Sequence, residues 1–163
     1  MTEFKRNQLL TQHLANYITD HKKEFVNQVL DKRTRHVTVV LEEIFQSQNA
    51  SAVIRTCECM GLQDIHIIEN EVKYAINRRV LKGSYKWVDM IKYRTQQKTG
   101  TLNISVSAAL CLQAIIPRVR QSDIAWQLTE AEKDLIRLQW YRKMVKRCEI
   151  IEREFLKTLP VSD

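Results

Sequence analysis

The sequence predicts an α/β fold: a small parallel sheet with flanking helices, extended by helices at both ends of the chain. Three observations carry this expectation. A β-branched run, an apolar-periodic helix and a second strand follow one another within about 33 residues, from His36 to Glu69. Long stretches with helical spacing and basic character precede and follow that unit. A chain of 163 residues is also long enough to bury one core without disulfides.

From Thr2 to Leu30, positions such as Leu9, Leu10, Leu14, Ile18, Val26 and Leu30 suit one or two amphipathic helices, with Thr19-Asp20 as a break and cap. HVTVVLE, residues 36–42, has the length and branching of a buried strand. The polar stretch Gln46-Ser47-Gln48-Asn49 offers a cap for a helix from Ala50 to Met60, and Gly61 stands where a terminator belongs. DIHIIEN then supplies the second strand. A strand, helix and strand of this size form a βαβ unit with a right-handed crossover. Residues 73–86 are expected to be helical, and KWVDMIKY, residues 86–93, alternates like a third strand. After the polar RTQQKTG, the later half of TLNISVSAALCLQAII reads as a small-residue helix with Asn103 or Ser105 near its start. Thr129 and Glu132 have the spacing of a capping box and open a long basic helix that is expected to reach about Leu156. The expected organisation is a helical segment 1–35, an α/β domain 36–118 and a helical segment 119–163.

The net charge is +7, from 26 Lys and Arg against 19 Asp and Glu. Such an excess favours a polyanionic partner. It is clustered: Lys5-Arg6, Lys32-Arg33-Thr34-Arg35-His36, Arg78-Arg79, Arg118 with Arg120, and Arg142-Lys143 with Lys146-Arg147. Only three glycines and two prolines occur, where average usage gives about 11 and about 8. Nucleotide-cradling α/β folds spend glycine at their strand ends, and three strands are few for a sheet covered on both faces.

The four cysteines lie in apolar periodic segments, and the one close pair, Cys57-x-Cys59, lacks a second ligand pair. Buried free thiols and no metal are expected. The opening MTEFKRNQLL is too polar for a secretory leader, and no run approaches the roughly 18 apolar residues of a membrane span. A cytoplasmic protein with reduced thiols follows. The four histidines show no ligand spacing, and no P-loop, G-x-G-x-x-G or Ser-His-Asp pattern is present.

Arg55 stands out within NASAVIRTCECMG. Ala50, Val53, Ile54, Cys57 and Met60 mark a helix face packed on a core, yet a guanidinium follows the most apolar pair. Periodicity alone allows an arginine at the helix edge, snorkelling to solvent or pairing with Glu58 or Glu42. Asn49 is a common cap residue whatever the function.

VVLEEIFQSQNASAVIRTCECMGLQDIHIIEN resembles the first motif of the SpoU family of RNA ribose 2′-O-methyltransferases, in which a strand, an Asn, five residues and an Arg precede a helix and a second strand. Asn49 and Arg55 match that spacing. LNISVSAAL resembles the family's third motif, with Leu102, Asn103 and Ser105 matching its Leu-Asn-x-Ser segment. The basic N-terminal helix, RRVLKGSYKWVD and LTEAEKDLIRLQWYRKMVKR resemble the subgroup that methylates a guanosine ribose in the tRNA D-loop. In the family a helix, further strands, a Gly-x-Glu motif and an Ile-Pro strand separate the third strand from the third motif. Here RTQQKTG alone joins Tyr93 to Thr101, so the domain is internally shortened near 94–101.

The resemblance implies the SPOUT trefoil-knot fold, S-adenosylmethionine as methyl donor, tRNA as substrate and a homodimer. The knot is not expected if the central segment is absent. Arg55 and Asn49 would be catalytic, with Arg55 holding the phosphate and the developing alkoxide. A guanidinium stays protonated in proteins, so this role is electrostatic rather than that of a base. Leu102, Asn103 and Ser105 would line the donor pocket. Arg6, Arg33, Arg35, Arg78, Arg79, Lys82, Arg142, Lys143 and Arg147 are candidates for tRNA phosphate contacts, with Trp87, Trp126 and Trp140 near them in sequence. The shortened centre leaves a second reading open: a tRNA-binding module of the same descent, without a donor pocket.

Overall fold

Alternation and periodicity resolve into defined elements in the computed structural model, which describes residues 1–42, 46–69, 75, 77–94 and 104–159, apart from the side chains of 104–107. The chain divides into two compact units, Arg33–Gln127 and Met1–Lys32 with Leu128–Asp163.

In the first unit, strands β1 (Val39–Glu42), β2 (Asp64–Glu69) and β3 (Asp89–Arg94) form a parallel sheet in the order β1-β2-β3. Val39 pairs with Ile65, and Ile65 with Met90. The period of two fixes which residues face the core: Ile65, Ile67 and Glu69 are buried, while His66 and Ile68 on the other face are half-buried. Helix α3 (Ser47–Cys59) links β1 to β2. Helix α4 (Arg78–Leu81) and a 3-10 helix (Ser84–Lys86) lie between β2 and β3 and pack on α3, as does α5 (Ile104–Gln121). Ala50, Val53, Ile54 and Cys57 of α3 meet Leu41, Ile65, Ile67, Leu81, Leu112 and Ile116 in one apolar core.

Several expectations change. β1 starts at Val39 rather than His36, because Thr34 forms an isolated bridge with Leu62 instead, donating from its N–H to the Gly61 carbonyl at 2.8 Å. The helix expected over 73–86 is represented, among the described residues, by α4 and the 3-10 helix. Lys82 (φ +45°) and Gly83 (φ +95°) separate them, both in the left-handed region. α3 begins at Ser47 with Gln46 at its N-cap, so Asn49 is inside the first turn and does not cap the helix. Gly61 (φ +83°) does follow the helix as a left-handed terminator. α5 runs through Pro117 to Gln121. Its last turn is held where Arg120 Nη2 donates to the Met60 carbonyl at 3.0 Å and its guanidinium lies over the Trp126 ring. RTQQKTG beyond Arg94 lies outside the described residues.

The second unit contains α1 (Glu3–Ala15), α2 (Asp20–Leu30), α6 (Glu130–Met144) and α7 (Cys148–Thr158). α1 packs on α6 and α7, and α2 on α6. Leu10, Leu14, Val26 and Leu30 are buried, as are Ile136, Leu138, Trp140 and Tyr141. His13 of α1 stacks on Phe155 of α7, centroids 4.0 Å apart. Thr129 and Glu132 complete a capping box at the start of α6. The single C-terminal helix expected to Leu156 is two helices, because Val145 is extended and Arg147 (φ +55°) is left-handed.

Cys57 and Cys148 are buried free thiols, whereas Cys59 and Cys111 are exposed on the outer faces of their helices. Burial pushes the Cys57 thiol up to about 12; burial and neighbouring Glu152 push Cys148 up to about 11.

Candidate functional site

The helix that follows β1 carries both residues of the first motif. Arg55 is exposed, and its Nη1 donates to the Val80 carbonyl of α4 at 3.4 Å. Among the described residues it pairs with no carboxylate. Glu58 is taken by Arg33, at 2.8 Å, and is not a partner for Arg55. Asn49 is half-buried one and a half turns earlier, its Nδ2 donating to Gln46 Oε1 at 3.1 Å. Arg78, Arg79 and Lys82, all exposed, lie on or beside α4, which packs against α3. The structure therefore gathers Arg55 and this basic cluster around one pair of helices.

Two sequence candidates are placed elsewhere. Arg33 is 1% exposed; besides Glu58 it donates to the Leu62 carbonyl at 3.0 Å. Burial lowers its pKa from the ordinary guanidinium value, against the pull of Glu58. Arg35 clamps the starts of β2 and β3 by pairing with Asp64 and with Asp89, the latter at 2.8 Å. Burial works against its charge, but the bonds to Asp64 and Asp89 outweigh that and raise its pKa. Arg33 is thus enclosed in the fold, whereas Arg35 is paired but stays at the surface.

In the helical unit, Arg6 of α1 and Arg142 of α6 line one cavity of about 600 Å³, together with Asn7 and Gln139. The Nε of Arg142 also binds Glu152 at 2.7 Å. Lys143 and Arg147 are exposed. Trp140 is buried, and Trp87 and Trp126 are half-buried.

Leu102 and Asn103 lie outside the described residues, as does the side chain of Ser105 in the first turn of α5. What the structure does show is that α5 is pinned to α3 through the shared core that includes Leu112 and Ile116.

Ser51 and Asn77 were not among the sequence candidates. Ser51 is buried and accepts from the Asn77 N–H at 3.3 Å. Asn77 stands directly before the helical run Arg-Arg-Val-Leu, which is a cap signature, and Ser51 lies one turn before Arg55. Both signals are present in the sequence.

The SpoU rRNA Methylase family model matches residues 36–99. A tRNA (guanosine(18)-2′-O)-methyltransferase of Borreliella burgdorferi is 32% identical over 202 positions, covering 85% of this chain and 93% of that protein. The alignment is longer than the 163-residue chain, so at least 39 of its positions face a gap here. Proteins of the same name from Thermus thermophilus and Aquifex aeolicus are 30% and 31% identical over 43% and 44% of the chain, spanning 36% and 34% of their own lengths. The crystal structure of the A. aeolicus TrmH/SpoU tRNA modifying enzyme superimposes with a TM-score of 0.65 at 18% identity, covering 78% of this chain and 98% of that one. The fold is thus the α/β type of the SPOUT methyltransferases. The chain belongs to the SpoU methyltransferase family, which takes its methyl group from S-adenosylmethionine.

Among the described residues no helix is long and apolar enough to cross a membrane. No group of three or more metal-ligating side chains is gathered there.

Proposed function

We propose that this chain methylates a guanosine ribose 2′-hydroxyl in the D-loop of tRNA. The observation that carries the reading is Arg55, an exposed guanidinium bonded to a neutral carbonyl rather than to a carboxylate. Among the described residues no carboxylate pairs with it, which leaves it for a phosphate or for the oxygen that becomes negative as the hydroxyl is alkylated. Asn49, on the same helix, presents an amide to the ribose or the adjacent phosphate. S-adenosylmethionine supplies an electrophilic methyl group when bound, and Leu102, Asn103 and Ser105 of the LNISVSAAL motif would hold it.

The tRNA is held by the exposed cations, Arg78, Arg79, Lys82, Lys143 and Arg147, and by the cavity that Arg6 and Arg142 share. Arg33 is left out of that set because its guanidinium is buried against Glu58, and Arg35 because it is already paired at the surface with two carboxylates, Asp64 and Asp89. The enzyme works as a homodimer; outward-facing Leu110 and Ile115 of α5 supply apolar surface for a second copy. Sedimentation that shows only a monomer at working concentration would remove this part of the reading.

The test is methyl transfer from labelled S-adenosylmethionine to tRNA. Loss of one charge-stabilising donor costs about 10²- to 10³-fold in kcat elsewhere, and Arg55→Ala should fall in that range. Unchanged turnover would take Arg55 out of the mechanism. The gap of at least 39 alignment positions favours one rival, a tRNA-binding module without a donor pocket. Calorimetric titration of S-adenosylmethionine separates the two: saturable binding near one donor per chain supports the enzyme, and its absence from a folded chain supports the module.

A further inference from the structure

Ser51 and Arg55 stand one turn apart on α3, and the first turn of α4 bonds to both. The Asn77 N–H donates to Ser51 Oγ at 3.3 Å. Asn77 Oδ1 accepts from the N–H groups of Arg79 and Val80, at 3.2 and 3.3 Å, and so caps α4. The Val80 carbonyl then accepts from Arg55 Nη1 at 3.4 Å. These contacts form a closed circuit that leaves α3 at Ser51 and returns to it four residues later.

The circuit has a fixed side and a surface side. Ser51 and Leu81 are buried in the body of the unit, whereas Arg55 is exposed. α4 has four residues, too few to persist as an isolated helix, so its shape depends on its cap and on its packing. Without the Asn77 side chain, two first-turn N–H groups lose their acceptor, and the carbonyl that meets Arg55 loses its anchor. A surface arginine has many rotamers of similar energy, and a fixed acceptor is what narrows them.

We propose that Asn77 is a positioning residue for Arg55: through the capped first turn of α4 it holds the guanidinium in the orientation the reaction uses. This rests on the proposed methyl transfer with Arg55 as its catalytic group. In Asn77→Ala, kcat should fall roughly five-fold, the factor that corresponds to loss of a typical cap, with tRNA affinity and KM unchanged. Asn77→Asp, which caps equally well, should restore the rate. Asn77→Ala should add nothing on an Arg55→Ala background. The proposal is overturned if Asn77→Ala turns over normally, if Asn77→Asp is as impaired as Asn77→Ala, or if the loss persists undiminished without Arg55. Should the unaltered chain transfer no methyl group, the proposed function fails by itself. Positioning is then read from the Arg55 Nε–H resonance, which should lose its distinct shift in Asn77→Ala and keep it in Asn77→Asp; an unchanged resonance in Asn77→Ala overturns the proposal.

Discussion

Replacing Arg33 with methionine separates a structural arginine from an RNA contact. The side chain is 1% exposed and holds Glu58 at 2.8 Å and the Leu62 carbonyl at 3.0 Å. Removing one partner of a buried ion pair costs about 3–5 kcal/mol where both groups are fully enclosed. Glu58 retains 23% side-chain exposure, so water recovers part of its solvation and the pair's share falls to about 2 kcal/mol. The Leu62 carbonyl, fully buried with its residue, loses a charged donor worth about another 1 kcal/mol, while the methionine stem preserves most of the packing. A total of about 3 kcal/mol is a large part of the 5–15 kcal/mol typical of a domain, and corresponds to a Tm lower by about 6–12 °C. Calorimetry on Arg33→Met checks this, with Arg33→Lys expected between it and the unaltered chain. tRNA affinity of the folded variant should keep its dependence on salt concentration. A normal Tm combined with a salt slope shallower by about one would refute the structural assignment and return Arg33 to the RNA-facing set.

Cys57 predicts an alkaline loss of stability. Its folded pKa of about 12 exceeds the ordinary 9.0, so the folded state keeps its proton when the unfolded chain has lost it. Stability is then fully present below pH 9 and is lost as the pH rises toward 12, by about 2–3 kcal/mol at pH 11. Urea midpoints measured from pH 8 to 11 should show this slope in the unaltered chain and lack that component in Cys57→Ala. Thr129→Ala breaks the capping box of α6 and should cost about 1 kcal/mol in urea unfolding, whereas Thr129→Ser should cost little. Gly83→Ala should cost about 1–2 kcal/mol, even though its new methyl group would meet open space, because φ is +95° there; a neutral result would show that the turn relaxes.

The βαβ unit was legible because its signals agree at every level. β-branched runs, an apolar helix face and a terminal glycine all favour the same elements, and Cys57, Ile54 and Val53 are buried as their spacing requires. The capping box was legible because it is a contact between near neighbours in sequence. What escaped was of two kinds. Left-handed Lys82 and Arg147 break helices at residues with no bias toward that conformation, so periodicity carries through them. The fate of each arginine depends on partners far away in sequence: Arg33 is buried against Glu58 and Arg35 pairs with Asp89 at the surface, and nothing local distinguishes them from Arg78 or Arg79. Arg55 could be singled out by motif, but that Glu58 is engaged by Arg33 rather than by Arg55 is a tertiary fact.

The packing of α1 against α6 has a consequence for synthesis. Leu10 and Leu14 are covered by a helix that begins at Glu130. At about 5–20 residues per second, the ribosome needs on the order of 10 s to deliver that cover after α1 has emerged. During that interval an amphipathic, basic helix has its apolar stripe open, while the intervening α/β segment can already collapse on contacts internal to itself. The nascent chain is therefore most exposed to chaperones, and to premature contact with RNA, through a helix that is made long before the one that covers it.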